Sequence, residues 1–318
     1  MNYQHANTAP GHPCPRGVRT SLYIPPGKFF FVGWALPTIV RLKRDRLVSH
    51  AHSADLEMQL FKKTWCPVAL LRKRFFSGIL LLAMTHAAYA ETVSIAVASN
   101  ALDAVKLISR DFQKEYGHTT RISSGSTGKL YAQIYNGAPF DVFLAANARE
   151  PQRLEEQGLI VKGSRFTYAL GQLSLCKQAA IKSTSLGTIL ADPALKRLAI
   201  ANPKTAPYGA AAQQVLASLG VWQTLKPKLI SGENIGQALQ YFVSGNTQAA
   251  FLARSQVMAK PMAGGCVTVA QKYYRPIRQQ AVVLKRAKDA VAVKLFIDYL
   301  KSQKVKTVLS KRFGYGVE

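Results

Sequence analysis

The run TTRISSGSTGKLYAQIY at residues 119–135 contains the features that decide the fold. Its first four residues form a strand-like segment, and the run from Leu130 to Tyr135 has helical spacing. Between them, Ser123-Ser124-Gly125-Ser126-Thr127-Gly128-Lys129 places hydroxyl groups and two glycines where a helix begins. Hydroxyls and the unpaired N–H groups of a first helical turn are donors, and glycine lets the backbone approach a ligand closely. The segment predicts a strand-to-helix turn that binds an anion, although an ordinary N-capped helix has the same signature.

Strand-like and helix-like segments alternate over the rest of the chain. A strand predicted at Thr92–Ala98 precedes a helix at Asn100–Tyr116, and the same order recurs at Val142–Ala145 and Ala148–Gln157. This rhythm predicts an α/β fold of mainly parallel sheets flanked by helices. The other predicted strands are 166–177, 198–201, 229–231, 249–252, 266–270 and 277–283, and the other predicted helices are 126–135, 209–219, 235–244, 290–300 and 305–312.

Polar or glycine-rich turns follow four of the predicted strands. They are Ser99-Asn100, Ser123 to Gly128, Asn202 to Gly209 and Gly232 to Gly236. In parallel sheets, ligands bind beyond the carboxyl ends of the strands, so the four turns predict one convergent site. Hydroxyl and backbone N–H donors without a carboxylate suit a fully ionised oxyanion.

The residues before position 91 have the parts of a secretory signal peptide. A basic patch at 72–74 precedes an apolar run at 75–84, and Ala88-Tyr89-Ala90 provides a small-residue cleavage site. The apolar run is too short for a membrane span of about 20 residues. We therefore predict a signal peptide at 58–90 that directs export to the periplasm, preceded by an irregular extension at 1–57.

The composition restricts the chemistry further. The net charge of +26 attracts anions in general. No arginine-rich run follows residue 90, so we expect no nucleic-acid partner, and a nucleic-acid or membrane-surface protein is kept as an alternative of another class. Of the six histidines, only His118 follows the predicted cleavage site, which excludes a histidine-based triad or zinc cluster. We expect no cofactor and no direct ligands for a metal cation.

Two further features leave alternatives open. Ser126-Thr127-Gly128-Lys129 matches the S-x-x-K motif of serine acyl-enzymes, so a secreted enzyme that uses Ser126 and Lys129 is a second hypothesis. Cys176 and Cys266 also follow the cleavage site, and they could form one disulfide or be two buried thiols.

Several motifs together resemble the periplasmic molybdate-binding proteins of ABC importers over residues 92–316. The motifs that carry this resemblance are Ala98-Ser99-Asn100, Ser123 to Gly128, Tyr131 to Ile134, Asn136 to Phe143, Ser164 to Ala169, Asn202-Pro203, Ala206 to Gly209 and Phe313-Gly314-Tyr315. The resemblance implies a non-enzymatic receptor that captures molybdate, and also tungstate, for a membrane permease. A receptor for another oxyanion, such as sulfate or phosphate, is the nearest alternative.

The same resemblance implies a two-lobed fold of the type II periplasmic-binding-protein kind and a monomer. Lobe 1 would comprise 91–168 and 278–318, lobe 2 would comprise 169–277, and Phe166–Lys177 and Tyr273–Leu284 would be crossing hinge strands. Some relatives have a tyrosine ligand where this chain has Ala253. The oxyanion ligands implied here are Ser99, Asn100, Ser126, Thr127, Tyr208 and Ile235.

Overall fold

The computed structural model describes residues 90–260 and 262–316. The predicted extension at 1–57, and all but the last residue of the predicted signal peptide at 58–90, lie outside the described residues. Among the described residues, no helix has both the length and the hydrophobicity needed to cross a membrane.

In the described part of the chain, ten strands form two five-stranded sheets. The strands are β1 Thr92–Ala98, β2 Thr119–Gly125, β3 Val142–Leu144, β4 Phe166–Gly171, β5 Leu173–Lys177, β6 Leu198–Ala201, β7 Leu229–Gly232, β8 Ala249–Ala253, β9 Cys266–Thr268 and β10 Ile277–Val283. The strand order is β2-β1-β3-β10-β4 in the first sheet and β7-β6-β8-β5-β9 in the second.

Both sheets are mixed rather than mainly parallel. β1 runs parallel to β2 and β3, whereas β10 is antiparallel to β3 and β4. In the second sheet β6 runs parallel to β7 and β8, and β5 is antiparallel to β8 and β9. The two antiparallel strands enter their sheets directly from the other lobe, without the crossover helix that makes neighbouring strands parallel. The predicted two-lobed α/β fold is confirmed.

Ten α-helices flank these sheets within the described residues. They are α1 Leu102–Tyr116, α2 Thr127–Tyr135, α3 Arg149–Glu156, α4 Leu186–Ala191, α5 Pro207–Ser218, α6 Trp222–Leu225, α7 Ile235–Val243, α8 Arg254–Ala259, α9 Val291–Lys301 and α10 Gln303–Phe313. The short helices α4, α6 and α8 were not predicted, because segments of four to six residues contain too little periodicity.

The core follows from the apolar periodicity of these elements. β1 is buried along its length except at Thr92, as expected for a central strand covered on both faces. Helix α1 buries Val105, Ile108 and Phe112, which are spaced three and four residues apart on one face. Separate buried clusters lie on the two faces of the first sheet, and a third fills the second lobe.

The predicted hinge strands differ in detail from the observed segments. The first, 166–177, is divided at Gln172, so that β4 pairs in the first sheet and β5 in the second. The second, 273–284, is a strand only from Ile277 to Val283, and a 3₁₀ turn at Gln271–Tyr273 precedes it. Both segments cross from one lobe to the other, and each contains one strand of the first sheet, β4 or β10.

A disulfide bond joins neighbouring strands of the second sheet. Cys176 on β5 lies opposite Cys266 on β9, and the two sulfurs are bonded across a sequence separation of 90 residues. Of the two alternatives for these cysteines, the structure therefore shows the pair.

Removing this bond is expected to destabilise the second lobe. A covalent link across about 90 residues restricts the unfolded chain, so a C176S/C266S variant should lose about 3–5 kcal/mol of unfolding free energy. Urea unfolding followed by circular dichroism would measure the loss. Reducing the parent protein with dithiothreitol should reproduce it, and an unchanged midpoint in the variant would contradict the prediction.

Candidate ligand-binding site between the lobes

All four polar turns supply residues to one small cavity between the lobes, here called the inner cavity. Its first-lobe wall comes from the ends of β1, β2 and β3, and its second-lobe wall from the starts of α5 and α7. The six residues predicted as ligands all line it. The complete lining is Ala98, Ser99, Asn100, Gly125, Ser126, Thr127, Ala146, Ala206, Pro207, Tyr208 and Ile235.

The Ser126 hydroxyl is the most informative group in this lining. Ser126 lies at the N-cap position of α2 and is 3% exposed, but its side chain makes no capping hydrogen bond. Among the described residues its Oγ has no hydrogen-bond partner at all. Buried hydroxyls in proteins are nearly always paired, so an unpaired one in a cavity wall indicates a position for a ligand or a water molecule.

The neighbouring Thr127 is placed differently. It is also buried, but its Oγ1 accepts a hydrogen bond of 3.0 Å from the Ala146 backbone N–H. A hydroxyl that accepts one bond still has a proton to donate. Thr127 therefore links α2 to the end of β3 and retains one donor.

Ser99 connects the first lobe to helix α7 of the second. Its Oγ accepts from the Gly236 N–H at 3.3 Å, and that same N–H donates to Asn234 Oδ1 at 2.9 Å. Asn234 caps α7 by accepting from Gly236 and Gln237. The cap leaves the Ile235 N–H, at the first helical position, without an intrahelical partner.

Tyr208 contributes its backbone rather than its hydroxyl. It is the second residue of α5, directly after Pro207, so its N–H also lacks an intrahelical partner. Its ring is buried, and its hydroxyl accepts from Gln279 Nε2 at 3.0 Å. At Gly209 a Cβ would lie only 2.2 Å from the Ala201 carbonyl oxygen, which shows how closely α5 approaches β6.

A fully buried glutamine that the sequence analysis missed supports these donors. Gln279 Oε1, on β10, accepts from Asn100 Nδ2 at 2.9 Å and from the Tyr168 hydroxyl at 2.8 Å. Its Nε2 donates to Tyr208, so one side chain connects the cavity residues of both lobes. Its signal was a pair of glutamines in the otherwise apolar run IRQQAVV, but the partners could not be deduced from that run.

The backbone carbonyl of Asn100 also accepts two hydrogen bonds. It accepts from Ser255 Oγ at 2.8 Å and from the Tyr315 hydroxyl at 3.1 Å. These bonds fix the orientation of the 3₁₀ turn Ser99–Ala101 that follows β1. Tyr315 belongs to the motif Phe313-Gly314-Tyr315 that carries the family resemblance, whereas no sequence pattern pointed to Ser255.

Residues 93–316 match the family model described as bacterial extracellular solute-binding protein. The chain belongs to this family. This solute-binding protein is 47% identical over 234 residues to the molybdate-binding protein ModA of Azotobacter vinelandii, a match that covers 73% of this chain and 92% of the relative. It is 41% identical to ModA of Rhodobacter capsulatus, with 75% and 94% covered. The predicted family resemblance is confirmed.

Solved structures agree with this assignment. The periplasmic molybdate-binding protein of Azotobacter vinelandii has a TM-score of 0.68 and 35% identity, with 71% of this chain and 99% of that chain covered. The sulfate-binding protein SubI of Mycobacterium tuberculosis, at 14% identity and a TM-score of 0.57, shares the fold, with 71% and 86% covered.

The S-x-x-K motif of this solute-binding protein lacks the geometry of an acyl-enzyme. A serine nucleophile needs a hydrogen bond to its base. Lys129 Nζ instead pairs with Glu233 of the second lobe at 2.8 Å, and both side chains are more than half exposed. Ser126 Oγ has no partner among the described residues.

The lobes of this solute-binding protein are in contact around the inner cavity. The Gly128 N–H donates to the Thr205 carbonyl at 2.9 Å, beside the Lys129–Glu233 pair. The cavity volume is about 10 Å³, which is room for about one water molecule. A tetrahedral oxyanion is larger, so its binding requires the lobes to separate by a hinge motion.

Ala253, the position at which the resemblance implied a tyrosine ligand in some family members, does not line the inner cavity. It is fully buried at the end of β8, and its N–H donates to Gln256 Oε1 at 3.1 Å. Gln256 in turn donates to the Ile235 carbonyl at 3.1 Å. The Gln256 side chain therefore links the end of β8 to the start of α7.

The buried tyrosines keep the wall behind the cavity uncharged. Burial raises the pKa of Tyr315 to about 12, and burial raises the pKa values of Tyr168 and Tyr208 well above their ordinary value. These phenols are therefore neutral at physiological pH. In the part of the chain that the structure describes, Tyr208 is the only residue of the inner-cavity lining with a titratable side chain, so no negative charge there opposes an anion.

The raised pKa of Tyr315 predicts a loss of stability in alkali. In the unfolded chain Tyr315 ionises near its ordinary value of 10.0, and in the folded chain near 12. Its contribution of about 3 kcal/mol is thus complete below pH 10 and is lost as the pH rises towards 12. Urea unfolding at several pH values should show this decline. A Tyr315→Phe variant should show a smaller decline, whereas Tyr135→Phe, at an exposed position, should behave like the parent.

Proposed function

We propose that this protein captures molybdate, and tungstate of nearly the same shape, in the inner cavity and delivers it in the periplasm to the permease of an ABC importer. The observation that carries the proposal is the lining of the inner cavity, in which hydroxyl and backbone N–H donors converge from two lobes without any acidic or basic side chain. A fully ionised oxyanion accepts from all such donors and needs no acceptor in return. The names of the relatives give this anion its identity.

Each predicted ligand has a role in this proposal. Ser99, Ser126 and Thr127 donate hydroxyl protons, and Asn100, Tyr208 and Ile235 donate backbone N–H groups. The first-turn N–H groups of α5 and α7 add the positive ends of two helix dipoles. No cofactor and no covalent step are involved.

We assign residues 91–171 and 277–316 to the first lobe and residues 172–276 to the second, in a monomer, because β4 and β10 pair in the first sheet, which moves the predicted boundaries at 168 and 278 by a few residues. The ligand enters when the lobes separate at the two hinge segments. It then bridges donors of both lobes and favours a closed form that is wider at the inner cavity than the one described here, because the ion is larger than one water molecule. The closed form is the species that the permease would recognise.

Selectivity would follow from size and protonation. Molybdate and tungstate are large enough to reach the donors of both lobes at once. Sulfate is smaller and leaves some of these donors unpaired. Phosphate at neutral pH carries a proton that requires an acceptor, and the one unpaired amide oxygen in the described lining is Asn100 Oδ1, whose orientation is set by the bonds of Nδ2 to Gln279 and Tyr315. An unpaired buried polar group costs about 1–3 kcal/mol, so each competitor should bind about 10- to 100-fold more weakly or worse.

Calorimetric titration tests the proposal directly. Molybdate and tungstate should bind with one-to-one stoichiometry, and sulfate and phosphate should bind more weakly. Tighter binding of sulfate would make the protein a sulfate receptor and would refute the size argument. Labelling of Ser126 by a covalent β-lactam probe would favour the acyl-enzyme hypothesis instead.

A further inference from the structure

A second and much larger cavity adjoins the inner cavity. This outer cavity has a volume of about 270 Å³ and also lies between the lobes. The two cavities share Ala146, Ala206 and Pro207 in their linings, so the outer cavity lies directly beside the inner one. Residues that follow β3 form its first-lobe wall, and residues of the 203–214 and 275–277 segments form its second-lobe wall.

Positive charge distinguishes the outer cavity from the uncharged inner one. Arg149, Lys204 and Arg275 line it, and none of the described residues in its lining is acidic. Within the described residues, Lys204 and Arg275 form no ion pair. Arg149 is partly neutralised, because its Nε donates to the buried carboxylate of Glu150 at 3.0 Å. Two unpaired cations therefore face a cavity between the lobes.

Two buried oxygens in the same lining also lack partners. Thr205 Oγ1 and Asn147 Oδ1 are buried atoms without a hydrogen bond among the described residues. A threonine hydroxyl can donate to an anion, whereas an amide oxygen only accepts. Asn147 Oδ1 therefore requires a water molecule or a protonated oxygen. Cations, a hydroxyl donor and an acceptor for water together suit an oxyanion that keeps part of its hydration shell.

We propose that the outer cavity is a second, low-affinity oxyanion site that holds the hydrated anion before it moves into the inner cavity. This inference rests on the proposed function of the inner cavity. Cations concentrated in a cleft raise the local concentration of an anion and its rate of association. The inner cavity offers only neutral donors and requires a dehydrated ion. The outer cavity thus attracts the anion, and the inner cavity binds it selectively.

The kinetic test compares two variants with the same change in net charge. K204Q/R275Q removes the unpaired cations of the outer cavity. K106Q/R110Q is the control, because these residues of α1 line a surface groove that shares no residue with either cavity. Arg149 is left unchanged, since its removal would leave Glu150 buried without a partner.

Stopped-flow measurement of intrinsic fluorescence would give the association rate constant for molybdate. At low ionic strength K204Q/R275Q should associate about three- to ten-fold more slowly than the control, and the difference should vanish in high salt. Equal rates for the two variants would overturn the proposal, because general surface charge would then explain any slowing.

Equilibrium dialysis with molybdate at low ionic strength provides a second test. A variant with the inner site weakened, S99A/S126A, should show residual, salt-sensitive binding in the millimolar range, at molybdate concentrations above those that fill the inner cavity. Addition of K204Q/R275Q should abolish this residual binding, and addition of K106Q/R110Q should not. Absence of residual binding, or its equal loss in both variants, would overturn the second site while leaving tight binding by the parent intact. Failure of the parent to bind any oxyanion would instead refute the proposed function.

Discussion

Replacement of Ser99 and Ser126 together by alanine is expected to weaken molybdate binding by about 100- to 10,000-fold, because each hydrogen bond to a charged group contributes about 1.5–3 kcal/mol. Asn100 Nδ2 already donates to Gln279 and Tyr315, so the Thr127 hydroxyl and the backbone N–H groups would be the donors that remain, and they are already used in the parent site. Calorimetric titration with molybdate measures the effect.

The fold of this double variant should be unaffected. Ser126 Oγ has no hydrogen-bond partner among the described residues, so its removal breaks no bond. Ser99 Oγ accepts from the Gly236 N–H, which keeps its shorter bond to Asn234. Thr127 is a poorer choice for this experiment, because its hydroxyl also holds the Ala146 N–H and its loss would combine structural and binding effects.

A matched control is available in the same segment. Ser123 and Ser124 lie in β2 and line neither cavity. An S123A/S124A variant should therefore bind molybdate as the parent does. If S99A/S126A retains an affinity within about three-fold of the parent, corresponding to less than 1 kcal/mol, the proposed ligands are wrong.

Substitution of Gly209 by alanine is expected to cost about 3 kcal/mol of unfolding free energy, which is at the upper end of the range for overpacked sites. The added Cβ would lie 2.2 Å from the Ala201 carbonyl oxygen and 2.6 Å from its carbon, and both are backbone atoms that cannot rotate away. Relief of this clash requires α5 to move away from β6. The same movement would displace the Tyr208 N–H from the inner cavity and weaken molybdate binding.

Gly187→Ala is the control for this substitution. Gly187 lies in helix α4, and a Cβ there would meet nothing within 4 Å. Because alanine is the better helix former, this variant should be neutral or more stable by up to about 1 kcal/mol. Urea unfolding measures the stability of both variants, and calorimetric titration measures their affinity for molybdate. Equal stabilities would show that the contact between α5 and β6 is not as close as the structure indicates.

The accuracy of the sequence predictions depended on whether the deciding information was local. The α/β alternation and the polar turns follow from short-range periodicity and from glycine and hydroxyl positions, and most predicted elements lie within a few residues of the observed ones. The strand predicted at Thr119–Ile122 ends too early, because β2 continues to Gly125 by pairing with all of β1. Sheet pairing is a long-range interaction, and the run Ser123-Ser124-Gly125 has little intrinsic strand preference.

The candidate site likewise combines features that local sequence determines with features that depend on long-range contacts. The amino-acid sequence by itself determined the fold class, the absence of a histidine-based centre after residue 90, and the family with its six candidate ligands. Only the tertiary structure decided that the Ser126 hydroxyl is unpaired while Thr127 Oγ1 accepts from the Ala146 N–H, that Gln279 joins both lobes, and that Cys176 pairs with Cys266. The reason is physical: periodicity and turn chemistry act over a few neighbouring residues, whereas hydrogen-bond partners, disulfide pairing and cavities arise where distant segments meet.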